Sequence, residues 1–190
     1  MKIGIDIDDT IADSYDSFLK CAFEYDKTLR NTGIVSQKRL YHYDFDWTEE
    51  EISKFYKVYF ARSFGGVTPK KDAMEILRKL KNEGHEIVYI TSRNNMDTEF
   101  SAYDITMDWM KKYDVPYDEV ITECNDKEAI CLRERVDVFI DDSQSQCTNT
   151  ARNKNITVIL YDEFNMHQDY DVSPRANSWD EIYNIIKNIQ

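Results

Sequence analysis

The sequence has little proline, glycine, cysteine or histidine. Its 190 residues include three prolines and five glycines, and no stretch has the composition of a flexible linker or a repeat. We therefore expect one compact domain, or a core domain with a modest insertion. The four cysteines form no CxxC pair and have no histidine at zinc-finger spacing, so we expect reduced thiols and no zinc site.

Long apolar runs and an excess of positive charge are also lacking. No stretch approaches the roughly 18 apolar residues of a membrane span, and carboxylates appear by the sixth residue, unlike in a signal peptide. We therefore expect a cytoplasmic protein. The net charge of −12 disfavours a protein that grips nucleic acid. Small anionic substrates remain compatible with it, because a bound divalent cation reverses the local charge.

Short apolar runs alternate with segments of helical periodicity. The apolar runs predict strands at 2–6, 87–90, 120–121, 136–140 and 156–160. Helices are expected from Ser14, from Thr48 with a capping box at Glu51, from Thr68 with Pro69 as first helical residue, over 99–112, from Asn125, and from Ser178 with a capping box at Glu181. This alternation predicts a mostly parallel α/β sheet covered on both faces. Residues 14–70 have helical patterns but no clear strand, so we expect a small helical insertion there.

Polar side chains follow the predicted strands, where ligands bind in open α/β sheets. They are Asp6, Asp8 and Thr10 after the first strand, Thr91 and Ser92 after the second, Lys127 at a helix start, and Asp141 and Asp142 after a later strand. Gaps of 85, 36 and 14 residues separate Asp6, Thr91, Lys127 and Asp141. This order resembles the four motifs of the haloacid dehalogenase superfamily, present here as IGIDIDDT, IVYITS, Lys127 and VFIDD. DxDxT alone would be a weak signal, whereas four motifs in order are a strong one.

The resemblance implies a fold and a reaction. The fold would be a three-layer α/β core with a parallel sheet, formed by 1–13 and 71–190, and a small helical cap at 14–70 inserted after the first strand. The reaction would be Mg²⁺-dependent hydrolysis of a phosphate ester. Asp6 would be the nucleophile that forms an aspartyl-phosphate intermediate. Asp8 would protonate the leaving oxygen and then take a proton from the hydrolytic water.

The resemblance also implies metal and phosphate sites. Mg²⁺ would lie between Asp6, the backbone carbonyl of Asp8 and Asp141. Asp142 would hold metal-bound water or the lysine. The phosphoryl oxygens would be bound by Thr91, Ser92 and Lys127.

The density of carboxylates supports a functional site without reference to any family. If the sheet gathers the acids that follow its strands, their mutual repulsion raises some pKa values or demands a cation. Asp9 departs from the family pattern, because this position is often glycine in these enzymes. Aspartate tolerates left-handed backbone better than most residues, so the turn can still form.

Each candidate residue also has a structural interpretation. Asp6 and Asp8 could cap a turn, but two acids beside a buried run are costly without a ligand. Thr91 could be an ordinary strand-end hydroxyl, and Lys127 a surface lysine. Asp142 could equally be the N-cap of the next helix.

Within the superfamily, the chain most resembles the cytosolic 5′(3′)-deoxyribonucleotidases and their small bacterial relatives. It has IADS after the first motif, a compact helical segment before the second, ITSR as the second motif, and NSWDEI near the C-terminus. The resemblance implies a nucleoside monophosphate substrate whose base stacks on cap aromatics. The candidates are Tyr41, Tyr43, Phe45 and Trp47, which are equally suited to build the core of the cap. Arg93 could contact phosphate or ribose, or lie at the surface.

Other functions remain open. The substrate could be a sugar phosphate or another small phosphate ester. A non-catalytic phosphate-binding or interaction module is the alternative of another class, although it would have no reason to keep the whole motif set. A receiver domain is excluded, because no apolar run ending in aspartate lies between the first strand and Thr91. The oligomeric state is open, a homo-oligomer included.

Overall fold

The computed structural model describes residues 1–95 and 100–189. The strands are β1 (Lys2–Ile5), β2 (Glu86–Ile90), β3 (Glu119–Ile121), β4 (Val138–Asp141), β5 (Thr157–Tyr161) and β6 (Arg175–Ala176). The helices are α1 (Ser14–Asp26), α2 (Glu49–Phe64), α3 (Ala73–Asn82), α4 (Ala102–Lys112), α5 (Lys127–Glu134), α6 (Gln144–Thr150) and α7 (Trp179–Asn188). A 3₁₀ turn covers Tyr41–Asp44.

The six strands form one parallel sheet in the order β3-β2-β1-β4-β5-β6. Strand β1 is central, because Ile3 pairs with Ile87 of β2 on one side and with Val138 of β4 on the other. The carboxyl ends of β1 and β4 therefore lie side by side at one edge of the sheet. This arrangement confirms the predicted parallel α/β fold.

The sheet is buried on both faces, since all residues of β4 are buried and, after the first residue of each strand, so are all those of β1, β2 and β5. Such continuous burial explains why these strands read as unbroken apolar runs rather than as alternating ones. One core cluster joins β2, β4 and β5 to α5 and α6; its members include Val88, Ile90, Cys131, Phe139, Cys147, Val158 and Leu160. All four cysteines of the chain are free and buried.

The chain divides into two compact units. The first comprises Met1–Ala12, Pro69–Arg93 and Asp114–Gln190, and it contains the sheet. The second comprises Asp13–Thr68 and Asn94–Tyr113. It differs from the insertion expected at 14–70 by also containing the segment with α4, which the family resemblance had assigned to the core.

The second unit has its own aromatic core. The buried rings of α1, α2 and the segment between them form one cluster: Tyr15, Phe18, Phe45, Trp47, Phe55, Tyr56, Phe60 and Phe64. Edge-to-face and stacked pairs hold it, for example Phe18 against Phe55 and Phe45 against Trp47. Helix α4 belongs to the same unit, because Trp109 donates its indole N–H to the carbonyl of Val67 at 2.9 Å.

The helix starts agree with the sequence prediction in part. The capping box of Thr48 and Glu51 is present, and Ser178 caps α7 through the amide of Glu181. The Glu181 carboxylate, however, accepts from the amide of Asn177 and not from that of Ser178. The cap of α5 is Asp126, not Asn125.

The predicted start of the third helix at Thr68 and Pro69 is wrong. Pro69 forms an antiparallel bridge with Ala12, and the Lys70 amide donates to the Ile11 carbonyl at 2.8 Å. These bonds hold the segment extended, so α3 begins only at Ala73. Strand β6 was not predicted, since two residues carry no periodicity.

Two further observations complete the fold. The predicted helix over 99–112 is found as Ala102–Lys112, and residue 99 lies outside the described part of the chain. Within the described residues, no helix is long and apolar enough to cross a lipid bilayer.

Candidate active site at the carboxyl ends of the strands

Asp6 and Asp141 lie at the carboxyl ends of the adjacent strands β1 and β4. The Asp6 amide donates to the Ile140 carbonyl at 2.9 Å, which extends the ladder by one residue beyond β1. Asp6 is 5% exposed and Asp141 is fully buried. Two carboxylates thus stand next to each other in a region with little access to water.

Lys127, the first residue of α5, places its ammonium between these two carboxylates. Its Nζ lies 2.5 Å from Oδ1 of Asp6 and 2.7 Å from Oδ2 of Asp141. The side chain is 5% exposed, so it is not a surface lysine. Burial lowers the pKa of Lys127, but the charges of Asp141 and Asp6 outweigh it and raise that pKa above its ordinary value. The lysine is therefore charged at every physiological pH.

Thr10 and Asp142 extend this group. The Thr10 hydroxyl lies 3.3 Å from Oδ2 of Asp6 and 3.4 Å from Oδ1 of Asp142, and it accepts from the Asp142 amide at 3.1 Å. Asp142 is not the N-cap of the next helix, because Ser143 caps α6. Burial, together with the charges of Asp141 and Asp6, raises the pKa of Asp142 well above its usual range.

The three carboxylates of Asp6, Asp141 and Asp142 are suited to a hard divalent cation. They offer ligand oxygens within 4.8 Å of one another. Three carboxylates and the single ammonium of Lys127 leave a formal charge of −2. Burial and repulsion from Asp141 and Asp8 raise the pKa of Asp6 to about 7, against the lowering effect of Lys127. An oxygen-preferring cation such as Mg²⁺ would offset this repulsion.

Thr91 and Ser92 follow β2 as expected. Thr91 is 1% exposed, its amide donates to the Ile121 carbonyl, and its hydroxyl accepts from the Arg93 amide at 3.3 Å. The Ser92 side chain donates to the Cys124 carbonyl at 2.8 Å, although Ser92 itself is exposed. The Ser92 hydroxyl therefore joins the loops after β2 and β3.

Arg93 is buried and forms a two-pronged ion pair with Asp8. Its Nε donates to Oδ2 of Asp8 at 2.9 Å and its Nη2 to Oδ1 at 2.6 Å, and the residue is 4% exposed. The surface interpretation of Arg93 is therefore wrong. Such a fork fixes the orientation of the carboxylate as well as its position.

A second buried lysine lies beside Asp9. The Lys70 ammonium is 2.6 Å from Oε2 of Glu163 and 3.8 Å from Oδ1 of Asp9. The charge of Asp9 also contributes to the raised pKa of Asp142. The sequence did not predict Lys70 or Glu163 at the site. The one feature that pointed to this group was Asp9, an aspartate at a position that is often glycine.

The aromatic candidates for substrate binding lie in the second unit. Phe45 and Trp47 are buried in its aromatic core, and the Trp47 indole donates to Oδ1 of Asp26 at 2.8 Å. Tyr41 is partly buried against the same core, whereas Tyr43 is 71% exposed. The packing of Phe45 and Trp47 favours the structural interpretation of these two residues.

Comparisons with known structures agree with the fold. A solved structure described as a "predicted phosphatase" from Clostridium acetobutylicum is similar over 98% of each chain, with a TM-score of 0.74 and 14% identity. A haloacid dehalogenase-like hydrolase from Streptococcus pneumoniae is similar over 97% of each chain, with a TM-score of 0.72 and 13% identity. These likenesses confirm the fold of the haloacid dehalogenase superfamily.

Sequence relatives define the family. A Bacillus cereus protein described as a "Putative nucleotidase" is 31% identical over 203 residues, which cover 98% of both chains. The family described as "5′ nucleotidase, deoxy (Pyrimidine), cytosolic type C protein" matches residues 1–190. Both findings confirm the expected class of enzyme, a phosphatase. The chain belongs to the cytosolic type C 5′-nucleotidase family.

Proposed function

We propose that the chain is a Mg²⁺-dependent phosphomonoesterase that hydrolyses nucleoside monophosphates through an aspartyl-phosphate on Asp6. The observation that carries the proposal is the buried group of Asp6, Lys127 and Asp141 at the carboxyl ends of β1 and β4. In this group the Asp6 carboxylate supplies a nucleophile, and the Lys127 ammonium between the two carboxylates supplies the positive charge that phosphoryl transfer requires. A third acid, Asp142, lies nearby.

The first half of the reaction forms the intermediate. An Asp6 carboxylate oxygen attacks phosphorus, a new O–P bond forms, and the bond from phosphorus to the ester oxygen breaks. Asp8 enters this step in its protonated form and gives its proton to the departing oxygen, which leaves as the alcohol of the nucleoside. Arg93 orients the Asp8 carboxylate through its two hydrogen bonds.

The second half returns the enzyme to its starting state. Water attacks the phosphorus of the aspartyl-phosphate, and Asp8 takes the water proton. The bond between phosphorus and the Asp6 oxygen breaks, which frees inorganic phosphate and the Asp6 carboxylate. Atoms and charge balance, because Asp8 recovers the proton that it donated first.

Two residues stabilise charge on the transferring group. The Lys127 ammonium lies against Asp6 and therefore next to any phosphoryl group attached there. Thr91 is positioned at the end of the neighbouring strand β2, where its hydroxyl can donate to a phosphoryl oxygen. Ser92 is the weaker candidate, because its hydroxyl proton is used by the Cys124 carbonyl.

The carboxylates of Asp6 and Asp141 and the backbone carbonyl of Asp8 would hold Mg²⁺, with Asp142 beside them. The bound cation would supply positive charge to the phosphoryl oxygens and would lower the pKa of Asp6. This second effect favours the ionised nucleophile, which burial and repulsion otherwise disfavour.

The choice of a nucleoside monophosphate is supported by the family description and by the Bacillus cereus relative. A cytosolic location is proposed on the same ground. Sugar phosphates and other small esters are the rival substrates. A non-catalytic phosphate-binding module is the rival function of another class. The pairing of Lys127 with both Asp6 and Asp141 argues against it, because a purely structural site gains little stability from a buried ion group.

Phosphate release from a substrate panel tests the proposal. The panel contains deoxy- and ribonucleoside monophosphates, sugar phosphates and an aryl phosphate, each with Mg²⁺ or with chelator. Asp6→Asn is the test variant, and Asp114→Asn, at an aspartate whose side chain is 96% exposed, is the matched control. We expect Mg²⁺-dependent turnover of nucleotides that Asp6→Asn abolishes and Asp114→Asn retains. Turnover of sugar phosphates alone would overturn the substrate, and undiminished turnover by Asp6→Asn would overturn the mechanism.

A further inference from the structure

Asp9 occupies a strained and buried position in the turn that follows β1. Its φ of 57° lies in the left-handed region, and the residue is 7% exposed. Three backbone hydrogen bonds close the turn. The Asp9 amide donates to the Ala12 carbonyl, and the amides of Ile11 and Ala12 both donate to the Ile7 carbonyl. Glycine would adopt this conformation without a buried charge, so the aspartate needs another explanation.

The Lys70 side chain supplies the charge that compensates Asp9. It is 3% exposed, and its ammonium lies 3.8 Å from Asp9 and 2.6 Å from Glu163. The Lys70 amide also donates to the Ile11 carbonyl of the same turn. One residue thus tethers the turn through its backbone and balances the turn's charge through its side chain. Glu163 is one-third exposed, so water screens its charge more than that of Asp9.

The charge of Asp9 acts on the site. Asp9 directly precedes Thr10, whose hydroxyl lies 3.3 Å from Oδ2 of Asp6, so the turn that carries Asp9 adjoins the acidic group of the site. An uncompensated carboxylate at this point would repel an approaching phosphate ester. It would do so strongly, because interactions between charges are less screened in buried surroundings.

We propose that Lys70 is a positioning residue that neutralises Asp9 and thereby keeps the turn after β1 open to an anionic substrate. This inference rests on the proposed function, because it assigns a role in phosphate binding at the same site. It also accounts for the aspartate in place of glycine: with Lys70 present, the pair holds the turn without adding net charge. A purely structural clip would affect folding alone, whereas the proposed role affects phosphate affinity.

The test compares four variants of the full chain. Lys70→Met removes the compensating charge, and Lys71→Met, at a neighbouring lysine that is 90% exposed, is the matched control. Asp9→Gly removes the carboxylate at a position whose backbone suits glycine. The double variant Asp9→Gly/Lys70→Met removes both charges. For each variant, KM and kcat are measured on the preferred substrate, and calorimetry gives the Kd of inorganic phosphate with Mg²⁺.

We expect Lys70→Met to raise KM and the phosphate Kd about tenfold while kcat changes less than about twofold, since one uncompensated buried charge acts mainly on binding. The double variant should return both constants to within about threefold of the wild type, and Lys71→Met should match the wild type. Asp9→Gly should tighten phosphate binding by about threefold, because the turn then has one negative charge fewer while Lys70 remains. If Lys70→Met does not fold, the phosphate Kd of Asp9→Gly still tests the inference.

Three results would overturn the inference: equal constants in Lys70→Met and Lys71→Met, failure of Asp9→Gly to restore binding in the double variant, or no change of phosphate affinity in Asp9→Gly. The calorimetric readout separates this inference from the proposed function. If the wild type binds phosphate in the predicted pattern but hydrolyses no ester, the proposed function fails and the inference stands. If the wild type is active and the pattern is absent, the inference alone fails.

Discussion

Replacement of Lys127 by methionine probes the charge balance of the site through stability. The substitution keeps most of the apolar stem and removes the ammonium that lies 2.5 Å from Asp6 and 2.7 Å from Asp141. Two buried carboxylates then face each other without compensation. We expect the variant to fold at high Mg²⁺ and to be strongly destabilised without it.

The magnitude follows from the burial of the group. Breaking a buried ion pair by removal of one partner costs about 3–5 kcal/mol, because the remaining charge is left without a partner. Protonation of a carboxyl relieves part of this cost, since the pKa of Asp6 is already near 7. We therefore expect Lys127→Met to lower the free energy of unfolding by about 3 kcal/mol at pH 7 without metal. Mg²⁺ at 100 times its Kd would return about 2.7 kcal/mol.

Urea denaturation followed by circular dichroism, in chelator and across a Mg²⁺ series, measures these quantities. Lys71→Met is the matched control, because its side chain is 90% exposed, and we expect a change within about 0.5 kcal/mol there. At equal Mg²⁺, the stabilisation should be larger in Lys127→Met than in the wild type, since the site has one more unit of negative charge. A loss below about 1 kcal/mol, or equal Mg²⁺ stabilisation in both proteins, would refute the reasoning.

Three other predictions concern the titration of Asp6, the orientation of Asp8 by Arg93 and the role of Trp47. First, because the pKa of Asp6 is raised from 3.8 to about 7, the metal-free folded state binds the extra proton, and its stability should fall as pH rises through that window; urea midpoints in chelator should show this slope in the wild type and a flatter profile in Asp6→Asn. Second, Arg93→Lys keeps the charge but loses the fork on Asp8, so kcat for phosphate release should fall about tenfold with KM little changed; an unchanged kcat would mean that Asp8 needs no such orientation. Third, Trp47→Phe removes the indole N–H that binds Asp26, which should cost about 1–3 kcal/mol of stability without a change in KM; a higher KM at unchanged stability would instead support base stacking by Trp47.

The sheet and the centre of the site could be predicted because both depend on local sequence patterns. Apolar runs that are buried on both faces identify β1, β2 and β4, and the first polar residue after each run lies at the same edge of a parallel sheet. Asp6, Thr91 and Asp141 follow from this rule alone. The placement of Lys127 needed the order of motifs as well, since the sequence around it resembles that of any exposed helix start.

The missing parts depend on contacts between distant loops. The pairs of Arg93 with Asp8 and of Lys70 with Glu163 join residues 85 and 93 positions apart, and no periodicity encodes where such side chains meet. The start of α3 was misjudged for a related reason. Thr68 and Pro69 have the composition of a helix start, but tertiary bonds to the turn after β1 hold this segment extended.

Chemical trapping of the intermediate tests the central claim most directly. During turnover with Mg²⁺, borohydride reduces an acyl phosphate on aspartate to homoserine, and peptide mass spectrometry locates the changed residue. We expect the change at Asp6 in the wild type, dependent on substrate, and its absence in Asp6→Asn. Steady turnover of substrate with no modification of Asp6, or with the modification on another carboxylate, would contradict the assignment of Asp6 as the nucleophile.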